Sequence, residues 1–111
     1  MITILPMERD EIDARGEFAE DVSGFVGSGG EYCVFDGAPA ILALCGRDSG
    51  MLDGLVRAVM ARAVSDGKLR VYISEKADKS ALLSLGFIDH IEDDSINVPL
   101  VLGRGCGDCA K

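Results

Sequence analysis

The sequence predicts a small α+β or α/β domain, a mixed sheet flanked by helices. Three observations carry this. Residues 47–67, RDSGMLDGLVRAVMARAVSDG, read as one long amphipathic helix. Apolar runs of strand length lie on both sides of it, Tyr32–Phe35 and Ala40–Cys45 before it and Leu69–Ser74 after it. At 111 residues and 48% hydrophobic content, the chain has the length of one domain and enough apolar mass for a core.

In chain order, Ile2–Leu5 predicts a first strand stopped by Pro6. Glu8–Val26 predicts a helix with Ile12, Phe18, Val22 and Phe25 on its apolar stripe, weakened at Gly16. Gly27-Ser28-Gly29-Gly30 reads as a connector. Tyr32–Phe35 and Ala40–Cys45, joined by Asp36-Gly37-Ala38-Pro39, read as a hairpin. In the central helix, Met51, Leu52, Leu55, Val56, Val59, Met60 and Ala63 share one stripe, with Arg57, Arg62 and Asp66 off it. Asp48 or Ser49 can cap its start and Gly67 can close its end. The strand Leu69–Ser74 follows, then a short helix Lys79–Leu85 between Asp78 and Gly86. Phe87–Ile91 reads as a further strand. The alternation of Ile96, Val98, Leu100 and Leu102 reads as a last one, at an edge or strand end because Pro99 cannot donate to a ladder. Residues 1–103 are thus expected to form one domain, and 104–111 a mobile Gly/Cys-rich tail.

Composition narrows the function. A net charge of −8 argues against nucleic acid and anionic membranes as partners, because both need clustered Lys and Arg. The chain carries no apolar run of membrane-spanning length, and MITILPMERDE lacks the basic start and apolar length of a leader. The expectation is a cytoplasmic protein whose four cysteines are thiols.

The hairpin VFDGAPAILALCG, the central helix with Gly50 and Gly54 at its start, and the segment ALLSLGFI together resemble the GNAT acetyltransferases. The resemblance covers most of the chain. It implies a GNAT-like (acyl-CoA N-acyltransferase-like) fold, acetyl-CoA as cofactor and a small-molecule or peptide amine as substrate. In that family an Arg/Gln-x-x-Gly-x-Gly/Ala loop at the helix start binds the cofactor's pyrophosphate, with free N–H groups and the helix dipole attracting the anion. Carried onto this sequence, the motif names Arg47, Ser49, Gly50 and Gly54. Neither register is complete: one has Leu52 in the small-residue slot, the other has Ser49 for the Arg. Asp48 and Asp53 stand beside the site, Leu82 occupies the slot of the family's Tyr, Glu75 stands near that of its Asn, and one strand is short of the family's count.

A second resemblance is to the STAS domains, in which an Asp-Ser pair before a helix carries a phosphorylatable Ser; here the pair is Asp48-Ser49. It implies a non-enzymatic module switched at Ser49. A third reading is a catalytically dead GNAT-like dimer that completes its sheet by edge pairing.

No catalytic residue stands out; Glu31 and His90 are the candidates for a base. Cys106-Gly107-Asp108-Cys109 has the spacing of a redox pair or half a zinc site, and Cys106 and Cys109 are the candidate metal ligands. Cys33 and Cys45 sit in apolar runs and are expected to be buried.

Overall fold

The computed structural model describes residues 4–101. Its elements are β1 (Ile4–Pro6), α1 (Arg9–Asp13), β2 (Ser23–Gly27), β3 (Tyr32–Phe35), β4 (Ala40–Cys45), α2 (Ser49–Ser65), β5 (Arg70–Ile73), α3 (Lys79–Leu85) and β6 (Ser95–Asn97), with one more helical turn over residues 98–101. The fold is mixed α+β. Six strands lie in the spatial order of the sequence, β1 to β6, and every neighbouring pair is antiparallel except β4 and β5. Parallel neighbours need a crossover, and α2 supplies it.

The helices form for the reasons the sequence contains. The Asp48 carboxylate accepts the Met51 N–H at 3.1 Å and caps α2. All seven residues of the predicted stripe are buried. Off the stripe, Arg57 pairs with Asp53 at 2.8 Å and Arg62 with Asp66 at 3.5 Å; such half-exposed pairs contribute only a few tenths of a kcal/mol, roughly. At the end, Gly67 takes φ +77° and the Lys68 N–H reaches back to the Ala63 carbonyl at 2.8 Å. α3 repeats the device, with Asp78 accepting the Ala81 N–H and Gly86 left-handed at its end. The hairpin turn is held by the Asp36 carboxylate, which accepts the N–H groups of Ala38 (2.9 Å) and Ala40 (2.7 Å).

α2 and α3 cover one face of the sheet and enclose the main core, which includes Cys33, Phe35, Ile41, Leu44, Val71, Ile73, Leu82 and Ile96. The opposite face carries a smaller core of Met7, Ile12, Val22 and Val34, with Phe18 and Leu42 packed against it.

The structure corrects the sequence reading in four places. The helix expected over Glu8–Val26 ends at Asp13, and Ser23–Gly27 is strand β2. Gly24 and Gly27 belong there because methionines cross them: a Cβ at Gly24 would stand 2.7 Å from Met7 Sδ, and one at Gly27 2.6 Å from Met51 Cγ. Phe87–Ile91 is no strand. Phe87 and Ile88 are buried, but the Asp93 carboxylate accepts the N–H groups of Asp89 and His90 and turns the chain. The last strand stops at Asn97, whose side chain accepts the Leu100 N–H at 3.1 Å and starts the helical turn, so Val98 and Val101 are buried and Leu100 is exposed. Cys45 is exposed, because β4 has no neighbour on one side at that point. The 104–111 tail lies outside the described residues.

Candidate functional site at the parting of β4 and β5

β4 and β5 are paired over two positions only, Ala40 with Tyr72 and Ile41 with Ile73. The Tyr72 N–H donates to the Pro39 carbonyl and the Ser74 N–H to the Ile41 carbonyl, each at 2.9 Å. There β5 ends. The Ser74 hydroxyl accepts the Lys76 N–H and its carbonyl accepts the Ala77 N–H, which turns the chain away. β4 runs on to Cys45.

It does so through a bulge, where the β3–β4 register shifts between Val34 and Phe35. Ile41 and Leu44 lie in the core under α2, whereas Leu42 and Ala43 both pack on the opposite face. The ladder fixes where the backbone points. The Gly27 N–H donates to the Glu31 carbonyl, so alternation turns Tyr32 and Val34 towards β4. Their partners are Cys45 and Ala43, which leaves the N–H and C=O of Leu44 aimed at the side that β5 has vacated. Those groups have no partner among the described residues, and a notch at the carboxyl ends of two parallel strands is where open sheets with crossover helices place ligands.

The N-terminus of α2 follows β4 after three residues. Arg47, Ser49 and Gly50 are exposed there, and Gly54 is half-buried one turn on. Arg47 is in no ion pair among the described residues. Asp48 holds the Met51 N–H, and no partner holds those of Ser49 and Gly50 among the described residues. Carboxylates also gather here. Asp53 is neutralised by Arg57. Glu31 is only 9% exposed, and its Oε1 has no hydrogen-bond partner among the described residues. Its stem lies against Gly46 and its carboxyl group against Gly29, on the face covered by Leu52. The helix N-terminus supplies free donors and positive potential, while Asp48 and Glu31 oppose any incoming anion.

The other sequence candidates lie apart. His90 is an exposed residue in the turn between α3 and β6. Cys106 and Cys109 lie outside the described residues, and among those described no group of three His, Cys, Asp or Glu converges as a metal site. Burial pushes the Cys33 thiol up to about 12. Cys45 sits opposite Tyr32. Burial first, then the neighbouring Cys45 sulfur, hold the Tyr32 hydroxyl above the ordinary tyrosine value, and the Arg15 guanidinium, 4.7 Å above the ring, offsets part of this.

Sequence reasoning missed a hollow of about 190 Å³ at the parting, on the face away from α2. Leu42 lines it from β4, Ser74 from the end of β5, Lys76 from the turn, and Glu17, Phe18 and Ala19 from the loop after α1. That loop is anchored: Arg9 donates to the carbonyls of Ala19 at 2.7 Å and Phe18 at 3.0 Å. A continuous helix across this segment hides the hollow; Gly16, at φ +151°, was the one signal of a break.

Among the described residues no helix is long and apolar enough to cross a membrane. Comparison with known proteins gave no match to a family model, a curated protein or a solved structure.

Proposed function

We propose that this chain is a GNAT-like acyl-CoA-binding domain, with transfer of an acetyl group from acetyl-CoA to an amine as its reaction. The observation that carries the reading is the parting of β4 and β5 beside the start of α2. A pantetheine arm is a slender chain with amide groups, and the vacated side of β4 would offer it backbone groups that have no partner among the described residues. Arg47 and the N–H groups of Ser49 and Gly50 would hold the pyrophosphate, next to the turn of α2 that bears Gly54. The cofactor supplies an activated thioester. The Leu44 N–H is aimed to polarise a carbonyl oxygen lying along β4. An amine nitrogen would attack that carbonyl; a C–N bond would form, the C–S bond would break, and the thiolate would leave and take up the proton that the nitrogen gives up.

Thermal unfolding with acetyl-CoA and CoA tests this. A ligand present at 100 times its dissociation constant adds about 2.7 kcal/mol to stability, a rise of several degrees for a domain this size. The shift is expected to vanish in Gly50→Glu, which folds because a carboxylate suits a helix N-terminus. In Asp48→Asn, which keeps the cap and removes the charge, affinity is expected to rise roughly two- to fivefold. No shift with either ligand sinks the reading.

One observation favours a second reading. Ser49 is exposed at the first position of α2, with no partner on its hydroxyl among the described residues. A phosphate there would meet the helix N-terminus and add nearly two negative charges, as a regulatory module would use it. A kinase-dependent mass gain at Ser49, with no response to CoA, would select this reading.

A further inference from the structure

We infer that the hollow bounded by Leu42, Ser74, Lys76 and residues 17–19 binds a small zwitterion of the amino-acid class. The identification of its amine as the acyl acceptor rests on the acyl-transfer reading; the binding does not.

Size is the first argument. At about 190 Å³ the hollow is smaller than the roughly 300 Å³ at which pockets for drug-sized ligands begin, so it suits a ligand of few heavy atoms. Charge is the second. Both an acidic residue, Glu17, and a basic one, Lys76, line the hollow, and neither forms an ion pair among the described residues. In a chain with a net charge of −8, a hollow lined by both a cation and a carboxylate selects for a molecule bearing both charges. Its ammonium would face Glu17, its carboxylate Lys76 and the Ser74 hydroxyl, and a short side chain the apolar floor of Leu42 and Phe18. Position is the third argument. Leu42 stands at the bulge, two residues from Leu44 on the strand that would carry the thioester, so a ligand whose side chain rests on Leu42 would lie near the reacting carbonyl. Preorganisation is the fourth. Arg9 fixes the Glu17 wall through two backbone carbonyls before any ligand arrives. Arg9 is a positioning residue in this scheme.

The test is two-dimensional NMR titration of the full chain, first without CoA. The probes are glycine, alanine, serine and glutamate, with propylamine and propionate as ligands bearing one charge each. Saturable shifts are expected for the amino acids at the amides of Leu42, Ser74 and Lys76, and propylamine and propionate should bind at least tenfold more weakly. Glu17→Gln and Lys76→Met should each weaken amino-acid binding tenfold or more while the remaining spectrum stays folded. Arg9→Gln should weaken it less, with line broadening confined to residues 17–19. Equal affinity for propylamine, or binding untouched by Lys76→Met, overturns the zwitterion assignment; the absence of any saturable shift overturns the site. Amino-acid binding in a chain that ignores CoA would leave the hollow standing and remove the acyl-transfer reading. A chain that binds CoA but no amino acid would do the reverse.

Discussion

Raising the pH from 9 towards 12 is expected to remove about 4 kcal/mol of stability through one thiol, that of Cys33. Burial holds this group protonated in the folded state, to about 12, whereas the unfolded chain releases the proton near 9.0. Below that value both states keep the proton, and pH has no leverage. Above it the unfolded state alone ionises, so it binds fewer protons and is favoured by about 1.4 kcal/mol per pH unit. The loss begins at the unfolded value and is complete only at the folded one. Tyr32, also raised, acts in the same direction at higher pH. Against a typical stability of roughly 5–15 kcal/mol, this is enough to unfold a marginal domain. Urea unfolding at intervals from pH 8 to 11 measures it, with Cys33→Ala as the control. That variant starts lower at neutral pH because it leaves a small cavity, and its profile should be flatter above pH 9. Parallel profiles for the two proteins would show that the thiol does not carry the effect.

Gly46→Ala is expected to cost about 3 kcal/mol, from two sources that can be separated. Gly46 joins β4 to the start of α2 at φ +157°, a conformation side chains rarely adopt. A Cβ there would also stand 2.8 Å from Glu31 Cβ, still closer to Glu31 Cγ, and 3.1 Å from Leu52 Cδ2. Glu31→Ala removes the Cγ and leaves the backbone demand untouched. The double variant should therefore recover only the part of the loss due to Cγ, because the Cβ of residue 31 and Leu52 Cδ2 still crowd the site, and the cycle measures that contact directly. A Gly46→Ala protein within ~0.5 kcal/mol of the parent would mean that this corner has slack.

The sequence was most legible where local signals were complete. α2 and α3 each carry a capping carboxylate and a closing glycine, and α2 a full buried stripe, so their bounds could be read directly. The β3–β4 hairpin was equally legible, since Asp36 sits where its side chain can hold the turn. β2 was hidden, because Ser23-Gly24-Phe25-Val26-Gly27 has little strand propensity of its own. It is a strand through pairing with β1 and β3 on both edges and through methionines lying over its glycines, which are tertiary facts. Residues 98–101 failed differently. Alternate apolar residues fitted a strand, but Asn97 can cap and Pro99 opens a helical turn at no cost in hydrogen bonds. At the site, Arg47, Ser49 and Gly50 were readable as residues on a helix start. The burial of Glu31 was not, since it depends on Gly46 lying across from it at the end of the neighbouring strand. The hollow was not readable either, since its walls come from segments far apart in the chain.

The short pairing of β4 with β5 also has a mechanical consequence. It is a seam between two units of unequal cohesion: the β1–β4 meander, where each strand holds the next along most of its length, and the β5–β6 pair. α2 packs against β2, β3 and β5, and so clasps both units from one side. The molecule can therefore breathe along the seam without unfolding, pivoting on the clasp and widening the gap beside Leu42. Under hydrogen exchange, the amides of Tyr72 and Ser74 would register that breathing before those of β3, and anything wedged into the gap would slow them.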